Sequence, residues 1–394
     1  MAKHILFMLL PTALLTLIVG AIGVLSEQSE TEHPPGVVQR EYWPDDGWWN
    51  AKPAEHGLES SHLGQARRFI LDNYPNFTSF LIVRDGYLVW EQYYGGKTGI
   101  RTLHNMYSAT KAVTSLLIGI AIQEGYITGV DQTLGDFFPE YFAVNPSQAG
   151  KAAITIEDLL TMRSGLEWSE WEPPPLTDPY GDQVMQMLVQ PLAATPGEVY
   201  NYSSGDSYLL SAIITKATGV SALTFAGRYL FEPLGIVTRQ WISDRQGNEY
   251  GGTGLYLNSR EIAALGLLYL NRGYWDGKQI VSPEWIEQSW EPHVVLRPEE
   301  NSRGLPAVSY GYQWWLRDQG GYRSAMAVGF GGQYLVIFPE LDMAVVLTAN
   351  PDPYILPEDM RGTGEIDFRL FEDYIIPAVI DAGAAQPVSA RGDE

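Results

Sequence analysis

From Ile5 to Leu25 the chain carries no charge; the run follows Lys3 and His4 and ends just past the small residues Ala21 and Gly23, before Ser26 and Glu27. That profile predicts an export signal. At about 1.5 Å per residue the same run also reaches across a bilayer core of about 30 Å, so an uncleaved membrane anchor over residues 5–25 is the competing reading. Either one sends the remaining chain out of the cytoplasm, to a periplasmic or extracellular place or to a membrane tether. Residues 26–57, rich in Pro, Glu and Trp, read as an extended lead-in wrapped on the surface. Helical spacing follows over 60–73, through Leu63, Ala66, Phe69 and Ile70. Two apolar runs, 77–83 and 87–94, flank Asp85-Gly86 and predict a hairpin. Helix-like periods then dominate, at 108–123, 156–162, 184–189, 207–217 and 259–270. Two further runs, 334–338 and 343–348, predict a second hairpin across 339–342, and 368–380 reads as a closing amphipathic helix.

Strands near both ends and helices between them predict an α+β fold in which one sheet is built from both ends of the chain. The expected divisions are a signal or anchor at 1–25, the lead-in at 26–57, a sheet domain from 58–105 and 275–385, a mostly helical domain at 106–274, and a flexible tail at 386–394. A cleft between sheet and helices is the default place for a site. With 394 residues, 45% of them hydrophobic, the chain has ample material for a packed core. Its formal charge of −22 repels phosphate backbones, which argues against nucleic acid as a partner. The absence of cysteine excludes disulfides, thiolate metal sites and cysteine nucleophiles. None of the six histidines stands at metal-ligand spacing, so no metal site is expected.

Three segments carry candidate chemistry. Ser108-Ala109-Thr110-Lys111 opens a segment, 112–122, that is apolar nearly all round and so reads as a central buried helix. Residues three apart share a helix face, which sets Lys111 beside Ser108. The positive end of the helix dipole disfavours a further positive charge there, so the hydroxyl gains a basic neighbour. Such a pair also arises by chance about as often as not. Tyr202-Ser203-Ser204-Gly205 either brings a phenol to the same cleft or simply caps the helix that follows. The stretch from Ala327 to Gln333, with glycine at 329, 331 and 332, either lets backbone amides approach a ligand or forms a bulge. Asn258 and Asp206 read as helix caps.

In order and spacing, Ser108–Lys111, the segment from Leu159 to Leu166, Tyr202-Ser203-Ser204 and the glycine-rich strand resemble the serine beta-lactamase-related hydrolases, a superfamily of class C beta-lactamases, D-alanyl-D-alanine carboxypeptidases and esterases. Residues 254–258, 310–315 and 329–333 look most similar to its 6-aminohexanoate-dimer hydrolase branch, and the similarity runs over about residues 60–380. The resemblance implies a beta-lactamase-like, DD-peptidase-like antiparallel sheet flanked by terminal helices, with a largely helical inserted domain. It implies Ser108 as the acylated nucleophile, Lys111 and Tyr202 as general acid/base, and the backbone N–H groups of Ser108 and Phe330 as the oxyanion hole, with Gly329 and Gly331 shaping that strand. Ser204 stands where many relatives have Asn and would orient Lys111 or a substrate carbonyl. Trp168, Trp171, Trp314 and Trp315 would line a substrate pocket, though core packing explains each equally well. No cofactor is implied, and the partner is a small-molecule amide or ester. One departure matters: relatives that bind penicillins commonly begin the third box with Lys or His, and this chain has Ala327. A cationic grip on a substrate carboxylate is missing there, unless an arginine such as Arg163 or Arg323 supplies it. A beta-lactamase or penicillin-interactive carboxypeptidase is therefore the alternative function, and an inactive binding protein on the same fold is a third.

Overall fold

The computed structural model describes residues 37–380 except 45–46, 97, 144–145, 171–180, 238–239, 298–307 and 352–365. The expected signal or anchor, the first part of the lead-in and the expected tail lie outside the described residues. The centre is an antiparallel sheet of eight strands: β1 (Phe77–Arg84), β2 (Tyr87–Tyr93), β3 (Val294–Leu296), β4 (Val308–Tyr310), β5 (Trp315–Gln319), β6 (Tyr322–Gly329), β7 (Gln333–Phe338) and β8 (Met343–Ala349). Across the sheet they run β2-β1-β8-β7-β6-β5-β4-β3. The first hairpin is thus zipped onto the last strand, with Phe80 opposite Leu347 and Ile82 opposite Val345. One sheet holds both ends of the chain, as the runs of apolar residues predicted.

Every residue of β1, β7 and β8 is buried, which is why Phe80–Val83, Tyr334–Phe338 and Met343–Leu347 read as apolar runs rather than as alternating ones. Successive side chains point to opposite faces. Leu81, Val83, Leu335, Ile337, Ala344 and Val346 enter a core shared with the helical part. Phe80, Ile82, Val336, Phe338, Val345 and Leu347 face a second core under α1 (Ser60–Asn73) and the C-terminal segment from Leu370 to Ala378. On the helical side stand α2 (Thr110–Gln123), α3 (Ser204–Thr218) and α4 (Ser259–Leu270). Asn258 caps α4 by accepting the N–H groups of Arg260 and Glu261, and the Glu261 carboxylate returns the bond to the Asn258 N–H. Gly266 lets this helix lie close to the sheet, because a Cβ there would stand 2.9 Å from that of Ala344.

The structure departs from the sequence reading in three places. The hairpin of β5 and β6 turns at Gly320-Gly321, both at positive φ, a two-residue turn of the kind hairpins favour. Arg317, Asp318 and Arg323 interrupt its apolar pattern. The closing amphipathic helix is instead a π-helical turn, Leu370–Ile375, followed by a 3₁₀ turn, Ile376–Ala378. Pro377 supplies no N–H to continue a regular helix, and Val379 leaves the turn to bridge Leu58. Small strands also appear within the helical part: Leu255–Leu257 pairs with both His104–Asn105 and Gln240–Trp241.

Candidate active site

The segment before Ser108 is fixed from two sides. The Met106 N–H donates to the Leu255 carbonyl at 2.8 Å, and the Tyr107 N–H donates to Asn105 Oδ1 at 2.9 Å. Tyr107 itself has a φ of +43°, a strained conformation for a bulky residue that its neighbours must enforce. Ser108 then falls in a 3₁₀ turn, Tyr107–Ala109, directly ahead of α2. That turn sets its hydroxyl next to the side chain that rises from the first turn of the helix.

Lys111 is 1% exposed, so its amine must find its partners inside the protein. It has three: Ser204 Oγ at 2.8 Å, the Gly252 carbonyl at 3.2 Å and Ser108 Oγ at 3.2 Å. The ring of Tyr202 lies against the same amine, with its centroid 4.7 Å from Nζ, the arrangement of a cation–π contact. Trp315, tilted at 5.6 Å, and Tyr310, edge-on at 6.3 Å, hold that ring from behind. The structure therefore brings Ser108, Lys111, Tyr202 and Ser204 together, although up to 96 positions separate them in the chain. Glycines make this approach feasible. A Cβ on Gly252 would stand 3.0 Å from that of Ser204, and one on Gly251 would stand 2.0 Å from the Ser207 carbonyl oxygen.

The glycine-rich turn meets the nucleophile segment from the sheet side. A Cβ on Gly329 would lie 2.1 Å from the Met106 carbonyl oxygen, so only glycine lets the end of β6 come this near. Phe330 packs edge-on against Tyr107 at 5.7 Å. Gly331, at φ +75°, closes the turn into β7 and accepts a hydrogen bond from Asn76. Ala327, two residues before Gly329, is buried and paired with Leu335. Arg323 donates to the Trp290 carbonyl, about 20 Å of strand away from Gly329 at 3.3 Å per residue. Arg163 donates to Thr161.

The tryptophans separate. Trp168 packs over Gly205 at the start of α3 and donates its indole N–H to Glu170 at 2.6 Å. Trp314 is fully buried and donates to the Tyr269 hydroxyl, so it belongs to the core and not to a pocket wall: no face of it is left for a substrate. Trp315 supports Tyr202, and Trp171 lies outside the described residues.

Glu170 is a site residue that the motifs did not reveal. One carboxylate oxygen accepts from the Ser204 hydroxyl; the other accepts from the Ser204 N–H at 3.0 Å and from Trp168. Burial pushes its carboxyl upward, but the Lys111 charge and the hydrogen bonds from Ser204 and Trp168 outweigh it and hold the group below the usual carboxyl range. The available signal was indirect, since a cation as buried as Lys111 calls for an anion nearby. Asp206 behaves in the opposite way. It is fully buried, accepts from the hydroxyls of Ser164 and Ser203, and is raised to about 7 by burial.

Comparison with known proteins finds likeness in sequence and in fold. Residues 78–363 match the family described as Beta-lactamase. A 6-aminohexanoate-dimer hydrolase from Paenarthrobacter ureafaciens is 25% identical over 292 residues, which cover 70% of this chain and 73% of that protein. A penicillin-binding protein homologue from Caulobacter crescentus superposes with a TM-score of 0.63 at 19% identity, over 82% of this chain and 99% of the other. A further homologue of that kind, from Pyrococcus abyssi, gives 0.58 at 21% identity, over 75% of each chain.

Proposed function

The chain belongs to the beta-lactamase family, and on that premise we propose that it is an exported serine hydrolase that cleaves a neutral amide or ester through an acyl-enzyme on Ser108. The observation that carries this reading is the buried amine of Lys111, 3.2 Å from Ser108 Oγ and held by Ser204 and Gly252. In the acylation step Ser108 Oγ bonds to the substrate carbonyl carbon and its proton passes to Lys111 Nζ. The carbonyl oxygen takes the charge and lies between the N–H groups of Ser108 and Phe330. The C–N or C–O bond then breaks as Tyr202 delivers a proton to the leaving amine or alcohol, and Tyr202 is reprotonated from Lys111. A water molecule reverses the sequence: it gives its proton to the same pair, attacks the ester carbon and releases the acid, with the proton returned to Ser108.

Substrate class follows from charge. A carboxylate next to the scissile bond would meet Ala327 where penicillin-binding relatives offer a cation, while Arg323 is engaged with the Trp290 carbonyl. The Paenarthrobacter relative is a 6-aminohexanoate-dimer hydrolase, and that likeness supports an amide. Residues 5–25 fit export, with retention as a tether the other possibility for the same segment. The test is hydrolysis of a p-nitrophenyl ester and of a simple linear amide by the purified protein. Wild-type turnover that Ser108→Ala abolishes is expected; undiminished hydrolysis by Ser108→Ala overturns the proposal. Covalent labelling by a fluorescent penicillin as fast as ester turnover would shift the substrate class toward beta-lactams.

A further inference from the structure

We infer that Glu170 is a positioning residue: it fixes the Ser204 hydroxyl as an acceptor toward Lys111 and thereby leaves the lysine lone pair to Ser108. The inference deepens the proposed function and rests on its assignment of Ser108 and Lys111. An ionised carboxylate only accepts, and a serine hydroxyl has a single hydrogen to give. Glu170 takes that hydrogen on one oxygen, while its other oxygen is engaged by the Ser204 N–H and the Trp168 indole. Ser204 Oγ therefore meets Lys111 Nζ, 2.8 Å away, as an acceptor. The Gly252 carbonyl, at 3.2 Å, can only accept as well.

As an ammonium, Lys111 gives one N–H to each of its three neighbours, Ser108 Oγ included; the neutral form that acts as a base has two N–H bonds and one lone pair. Both N–H bonds are claimed by Ser204 and Gly252, so the lone pair is left for the third neighbour, Ser108 Oγ, at 3.2 Å. That is the polarity a general base needs. If the Ser204 hydrogen turned toward Lys111 instead, it would take the lone pair, and Ser108 would receive an N–H of the wrong polarity for attack. Among the described residues, Lys111 faces the Glu170 charge and the Tyr202 ring in this arrangement.

The experiment compares Glu170→Gln, Glu170→Asp and Ser108→Ala with wild type, using p-nitrophenyl acetate turnover across pH and the rate of Ser108 labelling by a fluorophosphonate. Gln replaces one acceptor oxygen with a donor, so it cannot accept on both sides, whereas Asp keeps both acceptors. Glu170→Gln should lower the plateau kcat by about 10²-fold, the low end of what a positioned general base contributes, with KM changed less than about threefold. Labelling should slow in parallel, and Glu170→Asp should recover at least about tenfold of the loss. A Gln variant with a wild-type plateau and labelling rate overturns the inference. So does one whose acid limb moves while its plateau stays intact, because that reports charge and not direction, and so does an Asp variant no better than Gln. If the Gln variant does not fold, Ser204→Ala takes its place: a comparable loss is expected, and full activity contradicts the inference. Ser108→Ala separates the two claims, since wild-type turnover there removes the nucleophile assignment itself.

Discussion

Around Lys111 each neighbour constrains what the others can do, and the same holds where Gly329 meets Met106. A Cβ on Gly329 would stand 2.1 Å from the Met106 carbonyl oxygen, so the backbone there must shift to admit it. On the proposed role of the Phe330 N–H as an oxyanion donor, Gly329→Ala should displace that donor. Loss of one oxyanion donor costs about 2.7–4 kcal/mol, so kcat should fall by about 10²-fold or more, against about 1–3 kcal/mol of lost stability from overpacking. Ester kinetics together with urea unfolding check both numbers. Asp206 gives a pH prediction. Its carboxyl is raised by burial from 3.8 to about 7, so between those values the unfolded chain gives up a proton that the folded protein keeps. Stability then falls as pH rises from about 4 to about 7, by roughly a few kcal/mol. The urea midpoint of Asp206→Asn should lack this decline, and parallel curves for variant and wild type would refute it. At this scale the sequence shows what is local. Ser108 and Lys111 are legible because three residues of helix span the gap between them. Glu170 is not, because it reaches Ser204 across 34 positions from a segment without a motif, and Gly252 is not, because its contribution is a carbonyl rather than a side chain.

Elements were legible where burial is one-sided or complete, and hidden where it is mixed. The spacing of Leu63, Ala66 and Ile70 predicts α1 with its observed bounds, and these are the residues it buries. The continuous runs of β7 and β8 reflect burial on both faces. By contrast β3 and β4 have three residues each, too few to show a period, and the partly exposed β5 is broken by charges. Helix starts follow their caps: α3 begins at Ser204, three residues before the apolar pattern does, because the Ser203 hydroxyl accepts the Asp206 N–H at 2.9 Å. The box at the start of α4 gives a direct test. Asn258→Ala should destabilise the protein by about 1 kcal/mol while leaving ester kcat unchanged, since the residue caps a helix that packs on the sheet. A large loss of kcat at unchanged stability would instead assign Asn258 to the substrate.

For the whole molecule, the pairing of β1 with β8 joins the two ends of the chain into one sheet, and the helical part carries Ser108, Lys111, Tyr202 and Ser204 to the edge where β6 ends. Sequence order alone predicts a sheet shared by early and late strands, because strands gather near both ends and helices between them. The acidic excess acts at the same scale. A formal charge of −22 repels itself in the compact state. Raising salt from about 0.02 M to about 0.5 M, which shortens the screening length several-fold, should raise Tm by a few degrees, and a flat or falling Tm would show that paired charges already offset the repulsion. On the proposed mechanism one serine oxygen forms the covalent intermediate. Intact-mass and peptide-mapping analysis after brief reaction with a fluorophosphonate tests it most directly. A single adduct on Ser108, absent from Ser108→Ala, is expected; an adduct on another residue, or ester turnover that persists with no adduct at all, would contradict a Ser108 nucleophile.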